Sequence, residues 1–569
     1  MKNEKVSRRA FLKNISAGAL AAPVLSSVVG SAATHANSSD SPVPGFPMIQ
    51  SGASRNRNVL FISTDDSCTR LGVYGNPVVK TPNLERLAKS CVRFDHAYCQ
   101  YPWCSPSRTS LLTGLAPDTT KVYDLQTHFR EALPEVMTLP QAFLNNGYFT
   151  ARAGKIYHYG NPGQIGTSGL DDPPSWNETA NPAGVDHVKE EALLTNFTPH
   201  NRLKLTGRGG TAATMNRLMS TRGRGVGCWP GEGTPTGAQV PGGDGWGGMI
   251  AMHESKSSPQ LHTDYLVADA VIAMLENRRR QPDDPWFIGA GFYKPHVPWI
   301  VPSEYFDMYP LEEIQATPFS PGEMHIAPEW AYNTRTPNYG MPARECRQAI
   351  RAYYAAASFM DANVGRVLDA LHRLGLAENT TIVFWADHGW QLGEHGQWQK
   401  ETLFEPALRV PLMIGGAGVD AAGQSCPRTV EHLDIYPTLV EMCALQGTPS
   451  NLHGHSMVPL LSDPNASWSR PAISQIYRPA NYPPPWGWPN IPPGGIMGYS
   501  IRTERYRYTF WKEGSEGEEL YDYQVDPREL RNLATDIRTT ALKAKLRADL
   551  ERICQQRGMA NAPGALKDS

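Results

Sequence analysis

The chain has 569 residues, with 53 Lys+Arg against 55 Asp+Glu and a formal net charge of −2. That balance gives no general attraction to nucleic acid or to an anionic membrane. Hydrophobic residues at 40% together with 51 glycines exclude wholesale disorder, and nine cysteines in so long a chain exclude a disulfide scaffold. The length suits one large domain with an appendage.

Ser7-Arg8-Arg9-Ala10-Phe11-Leu12-Lys13 precedes a stretch of small apolar residues from Ile15 to Val29. Residues 1–36 read as a twin-arginine signal peptide, cleaved after a small residue between Ala32 and Ala36. Such a signal hands an already folded protein to the twin-arginine translocase and places it in the periplasm or the medium. No apolar run beyond it reaches membrane-span length, so no stable membrane anchoring is expected. Residues 37–55, rich in Ser, Pro and Gly, read as a linker.

Asn58 to Ser63 is a short apolar run, a buried strand ending at Asp65-Asp66. Helices are predicted from Thr81 to Lys89 and from Leu139 to Asn146, and extended chain from Tyr148 to Ala151. His262 to Arg279 carries apolar residues at helical spacing, Trp286 to Phe292 is a strand, and Arg347 to Leu374 is a long helix. Thr381 to Trp385 and Arg409 to Ile414 are strands. This alternation predicts an α/β catalytic domain over 56–440, with a large, mostly parallel sheet sandwiched by helices. Residues 160–250 are glycine-rich with little periodicity and read as a surface insertion. Residues 441–569 read as a smaller C-terminal α+β subdomain with a short antiparallel sheet. In it, a proline-aromatic loop at 480–494 precedes a strand-like alternation from Tyr499 to Trp511 and a helix from Thr540 to Gln555. Cys426 and Cys443 are one pairing among several that spacing leaves open.

The polar residues fall where the strands stop. Asp65-Asp66, Lys155 with His158, Lys294-Pro295-His296 and Asp387-His388 each follow a predicted strand. Open α/β sheets bind ligands beyond the carboxyl ends of their strands. A lone Asp-Asp more often caps a turn, but four such ends imply one shared site. Three Asp carboxylates and a His can hold a divalent cation, and hard oxygens favour Ca²⁺ or Mg²⁺. Cys104-Ser105-Pro106-Ser107-Arg108 reads as a helix opening, where unpaired amides favour an anion. Arg108, one turn in, is placed to add a fork of donors. With no Cys-x-x-Cys, a thiolate zinc site is not expected.

At these residues the chain resembles the sulfatase family. CSPSR followed by TSLLTG resembles the family signature Cys-x-Pro-Ser-Arg. NVLFISTDD, GKIYHYG, GFYKPHVPW, ADHGWQLGEHGQWQK and IMGYSIRTERYRYTFW are most similar to its iduronate-2-sulfatase type, and ELYDYQVDPRELRNLA resembles the usual C-terminal segment. The resemblance implies an alkaline-phosphatase-like fold and a Cα-formylglycine derived from Cys104, installed by a formylglycine-generating or radical maturation enzyme. It implies one Ca²⁺ held by Asp65, Asp66, Asp387, His388 and the modified Cys104. Arg108 matches the residue that orients the formylglycine, and Lys155, His158, His296 and Lys400 match the remaining catalytic positions. Lys294 and Trp390, beside these, are expected to bind substrate. A hydroxyl of the aldehyde hydrate would attack sulfur, with Asp387 accepting a proton and His296 or Lys400 protonating the departing sugar oxygen. His158 would deprotonate the second hydroxyl to release sulfate. The implied substrate is a sulfated saccharide, with a 2-O-sulfated uronate foremost. The competing readings are a phosphodiesterase or phosphonate monoester hydrolase of the same superfamily, and a non-catalytic carbohydrate-binding protein.

Overall fold

Eight strands make the main sheet of the computed structural model, which describes residues 57–197, 250–334, 336–478 and 495–558. The expected signal peptide and linker, most of the glycine-rich insertion and the 480–494 loop lie outside the described residues. In chain order the strands are β1 (Asn58–Asp65), β2 (Cys91–Tyr98), β3 (Phe149–Gly154), β4 (Glu178–Ala180), β5 (Trp286–Pro295), β6 (Thr380–Ala386), β7 (Arg409–Gly416) and β8 (Ser425–Glu431). Their spatial order is β8-β2-β7-β6-β1-β5-β3-β4. Only β7 runs antiparallel to its neighbours; every other pairing is parallel.

Each residue of β1 is buried, as a continuous apolar run covered on both faces requires. Leu60 and Ile62 join one core with Val267 and Val271 of helix α2 (Thr263–Arg278) and Phe359 of helix α3 (Ala343–Arg373). Val59 and Phe61 point the other way, into a core with Leu111 and Leu112 of helix α1 (Cys104–Thr113). The sheet is therefore sandwiched by helices, as its alternating pattern predicts. Where β3 and β5 end, Gly154 has φ +73°, and a Cβ added there would lie 2.0 Å from the Gly291 carbonyl oxygen. Only glycine lets these two strand ends approach so closely.

The C-terminal part holds a four-stranded antiparallel sheet of Ala472–Arg478, Ile496–Arg502, Tyr506–Trp511 and Glu518–Asp522, with the helix Thr540–Gln556 packed on it through Leu546 and Leu550. The single strand expected from Tyr499 to Trp511 is a hairpin: Thr503 N–H donates to the Tyr506 carbonyl at 2.8 Å, and Gly498 pairs with Trp511. Its turn has neither Gly nor Pro, so alternation alone runs straight across it. Ile476, Ile496 and Trp511 bury into the same core as α1, joining this sheet to the larger one. The eight described cysteines, Cys426 and Cys443 among them, are free thiols. Among the described residues no helix is long and apolar enough to cross a membrane.

Candidate active site

Strands β6, β1, β5 and β3 are consecutive neighbours and mutually parallel. Their carboxyl ends share one edge of the sheet, so the four polar strand ends expected from the sequence arrive together. One ligand atom from each of Asp66, Cys104, Asp387 and His388 lies within 4.8 Å of the others, and all four residues are buried.

Asp66 follows β1 with φ +60°, and its N–H donates to Asp387 Oδ1 at 3.0 Å. Asp387 also accepts from its neighbour His388 N–H at 3.1 Å. His388 Nδ1 lies 2.9 Å from the Gly389 carbonyl oxygen. A carbonyl only accepts, so Nδ1 carries the proton and Nε2 presents a lone pair. That lone pair faces Asp66 Oδ1 at 3.1 Å and Asp387 Oδ2 at 3.6 Å. Burial pulls the His388 pKa below its usual value, which keeps the ring neutral. Two carboxylate oxygens and an imidazole lone pair thus converge, a donor set that a hard divalent cation can satisfy.

Three cations brace the acids. Lys155 Nζ donates to Asp65 Oδ2 at 2.6 Å. Lys400 Nζ donates to Asp66 Oδ1 at 2.8 Å, lies 3.2 Å from Cys104 Sγ, and is 3.3 Å from His296 Nε2. Arg108 donates from Nε to Asp387 Oδ2 at 2.9 Å and from Nη2 to Asp65 Oδ1 at 3.1 Å. Its remaining N–H groups go to Ser63 Oγ and to the carbonyls of Thr64, Lys155 and Ile156. The guanidinium therefore anchors carboxylates and strand ends; no bond to Cys104 uses its fork. Burial opposes ionisation of Asp65, yet Lys155, His296 and Arg108 hold its carboxyl well below the usual range. Asp387 is likewise held low, against burial, above all by Arg108. At Asp66 burial prevails over His296 and Lys400 and the pKa rises. Asp66 is thus the one of the three carboxyls whose ionised form burial disfavours on balance.

Cys104 is the first residue of α1, fully buried, with Sγ 3.2 Å from His388 Nε2. Burial pushes its thiol well above the usual range. His296 Nδ1 bonds the Val297 carbonyl and its Nε2 lies 3.5 Å from Asp66 Oδ2. His158 is buried three residues past Lys155, its carbonyl accepting from Leu170 N–H at 2.9 Å. Lys294 turns along its own loop, Nζ donating to the Pro298 carbonyl at 2.7 Å. Trp390 is fully buried with Lys400 Nζ 5.7 Å from its ring centre, a wall beside the reactive cluster. The sequence reading missed Asn161, whose Nδ2 lies 3.4 Å from Asp65 Oδ2, and Tyr353, whose hydroxyl bonds the Asp66 carbonyl at 2.9 Å. Asn161 could have been found as the next polar residue after His158; Tyr353, inside an apolar helix, gave no signal.

A sheet of this order, with acids and a histidine massed at its carboxyl edge, defines a hydrolase of the alkaline-phosphatase-like fold. The chain belongs to the sulfatase family: the Sulfatase family model matches residues 57–444, and that of the N-sulphoglucosamine sulphohydrolase C-terminal region matches 393–556. Its activity is accordingly that of a sulfuric ester hydrolase. Iduronate 2-sulfatase of Mus musculus is 30% identical, covering 86% of this chain and 93% of its own. A sulfatase of Formosa agariphila is 31% identical, covering 86% and 85%. The solved phosphonate monoester hydrolase of Agrobacterium radiobacter superposes with a TM-score of 0.67 at 23% identity, over 88% of this chain and 96% of that one; at that identity the likeness is one of fold.

Proposed function

We propose that the protein is an exported sulfatase that removes the sulfate ester of a sulfated saccharide, foremost a 2-O-sulfated uronate, with a formylglycine made from Cys104 and one bound Ca²⁺. The observation that carries this is the position of Cys104: at a helix N-terminus, between Lys400 and His388, with a thiol that burial keeps protonated. A neutral buried thiol is a poor nucleophile. Converted to formylglycine and hydrated, the residue would offer one hydroxyl to take the sulfuryl group as the sugar oxygen leaves and a second through which sulfate would be released with the aldehyde restored. Asp65, Asp66, Asp387 and His388 would hold the Ca²⁺, whose charge would polarise the sulfate oxygens.

The chain's own residues supply the rest. Lys400 Nζ holds positive charge beside position 104 before substrate arrives, so little reorganisation is needed as charge develops. His296 Nε2, within 3.3 Å of Lys400 Nζ, gives the pair a path to move a proton toward the departing sugar oxygen. His158 is assigned as the base that takes the second hydroxyl's proton. Arg108 and Lys155 keep Asp65 and Asp387 ionised and oriented. Lys294 and Trp390 shape the saccharide side of the pocket, Trp390 as an apolar wall. The 56–440 part carries the chemistry and 441–569 buttresses it.

The 2-O-sulfated uronate follows from the iduronate 2-sulfatase relatives. Export through the twin-arginine translocase to the periplasm or medium follows from Arg8-Arg9 and the small-residue stretch after them; maturation of Cys104 then precedes export. The test is mass spectrometry of the Cys104 peptide from protein made with its maturation enzyme, beside assays on defined 2-O-sulfated oligosaccharides and on a phosphodiester. Thiol-to-aldehyde conversion, sulfate release and an inactive Cys104→Ala variant are expected. Full activity with an unmodified thiol overturns the mechanism, and a large phosphodiester preference overturns the substrate class.

A further inference from the structure

Tyr353 is the eleventh of the 31 residues of α3, fully buried. Its hydroxyl accepts the Cys68 N–H at 2.9 Å and donates to the Asp66 carbonyl at 2.9 Å. The two bonds close the turn that follows β1. Within that turn Asp66 holds φ +60°, a left-handed conformation that costs a non-glycine residue roughly 1–2 kcal/mol and persists only where the surroundings enforce it.

The ring is fixed as firmly as the hydroxyl. It stacks on Trp390, centroids 6.4 Å apart and planes at 15°. It meets Trp299 edge-on at 6.1 Å and 89°, and Trp299 meets Trp390 edge-on at 6.4 Å. Trp390 lies two residues past His388, and Trp299 three past His296. One buried side chain therefore touches the loops leaving β1, β5 and β6, those that carry Asp66, His296 and Asp387-His388.

We propose that Tyr353 is the positioning residue of the cation cluster. It offers no ligand atom. Its hydroxyl holds the Asp66 turn in the conformation that returns the carboxylate to His388 Nε2, and its ring holds the β6 loop against the same point. The assignment rests on the cation reading of the cluster. Residues that orient metal ligands from behind commonly contribute about 10–100-fold in metal affinity.

Tyr353→Phe keeps the ring and deletes both hydrogen bonds. Tyr309→Phe is the control, because the Tyr309 hydroxyl is also bonded against α3, at Ser358, and accepts from Lys80 N–H at 2.8 Å. The experiment is calorimetric titration of CaCl₂ into chelator-stripped mature protein, with amide hydrogen exchange at Cys68 as a second readout. Tyr353→Phe should weaken Ca²⁺ binding by about 10–100-fold and Tyr309→Phe by less than about threefold, with the cation-free variants melting together. In the cation-free parent the Cys68 amide should be protected. Parent-like affinity in Tyr353→Phe, an equal loss in Tyr309→Phe, or rapid Cys68 exchange in the parent overturns the inference alone. A parent protein that takes up no Ca²⁺ overturns the cation reading and this assignment with it.

Discussion

Arg108→Lys separates charge from geometry in the reactive cluster. The guanidinium makes six hydrogen bonds, to Asp387 Oδ2 (2.9 Å), Asp65 Oδ1 (3.1 Å), Ser63 Oγ (3.0 Å) and the carbonyls of Lys155 (2.8 Å), Ile156 (3.1 Å) and Thr64 (3.3 Å). An ammonium has three N–H donors and no fork. At least half of these acceptors therefore lose their partner in a fully buried site. At about 1–2 kcal/mol for each orphaned acceptor, the loss is about 3–6 kcal/mol of stability. The assay is urea unfolding of cation-free protein near pH 7, followed by tryptophan fluorescence, with the midpoint shift converted through the m-value. Mature enzyme should lose about 100-fold in kcat/KM, since Asp387 would no longer be held in one orientation. If Arg108→Lys unfolds within about 1 kcal/mol of the parent, positive charge alone holds the carboxylates, and the reasoning from donor geometry is refuted.

Two further outcomes follow from the same packing. Lys400→Met should lower kcat on a saccharide sulfate by about 10²–10⁴-fold, but much less on a nitrophenyl sulfate, whose leaving group needs no proton; equal losses would remove the Lys400–His296 pair from leaving-group protonation. His395 is buried, stacked on Phe404 at 4.2 Å, and burial pushes its pKa down to about 4 from 6.5. Between those values the unfolded chain binds a proton that the folded protein refuses. Stability is therefore complete above about pH 6.5 and falls on acidification by up to about 1.4 kcal/mol per unit until about pH 4. His395→Gln should flatten this slope, read as urea midpoints at about pH 7 and about pH 5; parallel slopes for parent and variant would show that His395 does not contribute.

The chemistry of the site was legible because each apolar run ends in a charged or imidazole residue, a local pattern. That the runs ending at Asp65, Gly154, Pro295 and Ala386 lie side by side was not legible from spacing, because strand order is set by pairing between distant residues. The expectation of one shared site rested on such residues recurring at four strand ends, and the implied family fold agreed with it. Arg108 was read as aiming its donors at an anion beside Cys104. Its fork is instead consumed by β1, by the loop after β3 and by Asp387, acceptors whose convergence only the folded chain displays. Tyr353 stayed hidden because an aromatic in the apolar stripe of a long helix reads as core, like Phe359 on the same helix.

Charge arithmetic ties these residues to the reaction. Asp65, Asp66 and Asp387 are buried with Arg108, Lys155 and Lys400, three negative groups against three positive. Burying each ion costs several kcal/mol, which only close mutual pairing offsets. The chain's own charges therefore cancel, and a neutral site has no net attraction for an anionic sulfate ester. A divalent cation beside Asp66 would leave the site two charges positive. Lys400 would then be less fully engaged by Asp66 and better able to meet the ester next to position 104. On this reasoning a bound cation would turn a self-compensated ionic cluster into a receptor for sulfate, which would account for six buried ionic side chains where an apolar core would be more stable.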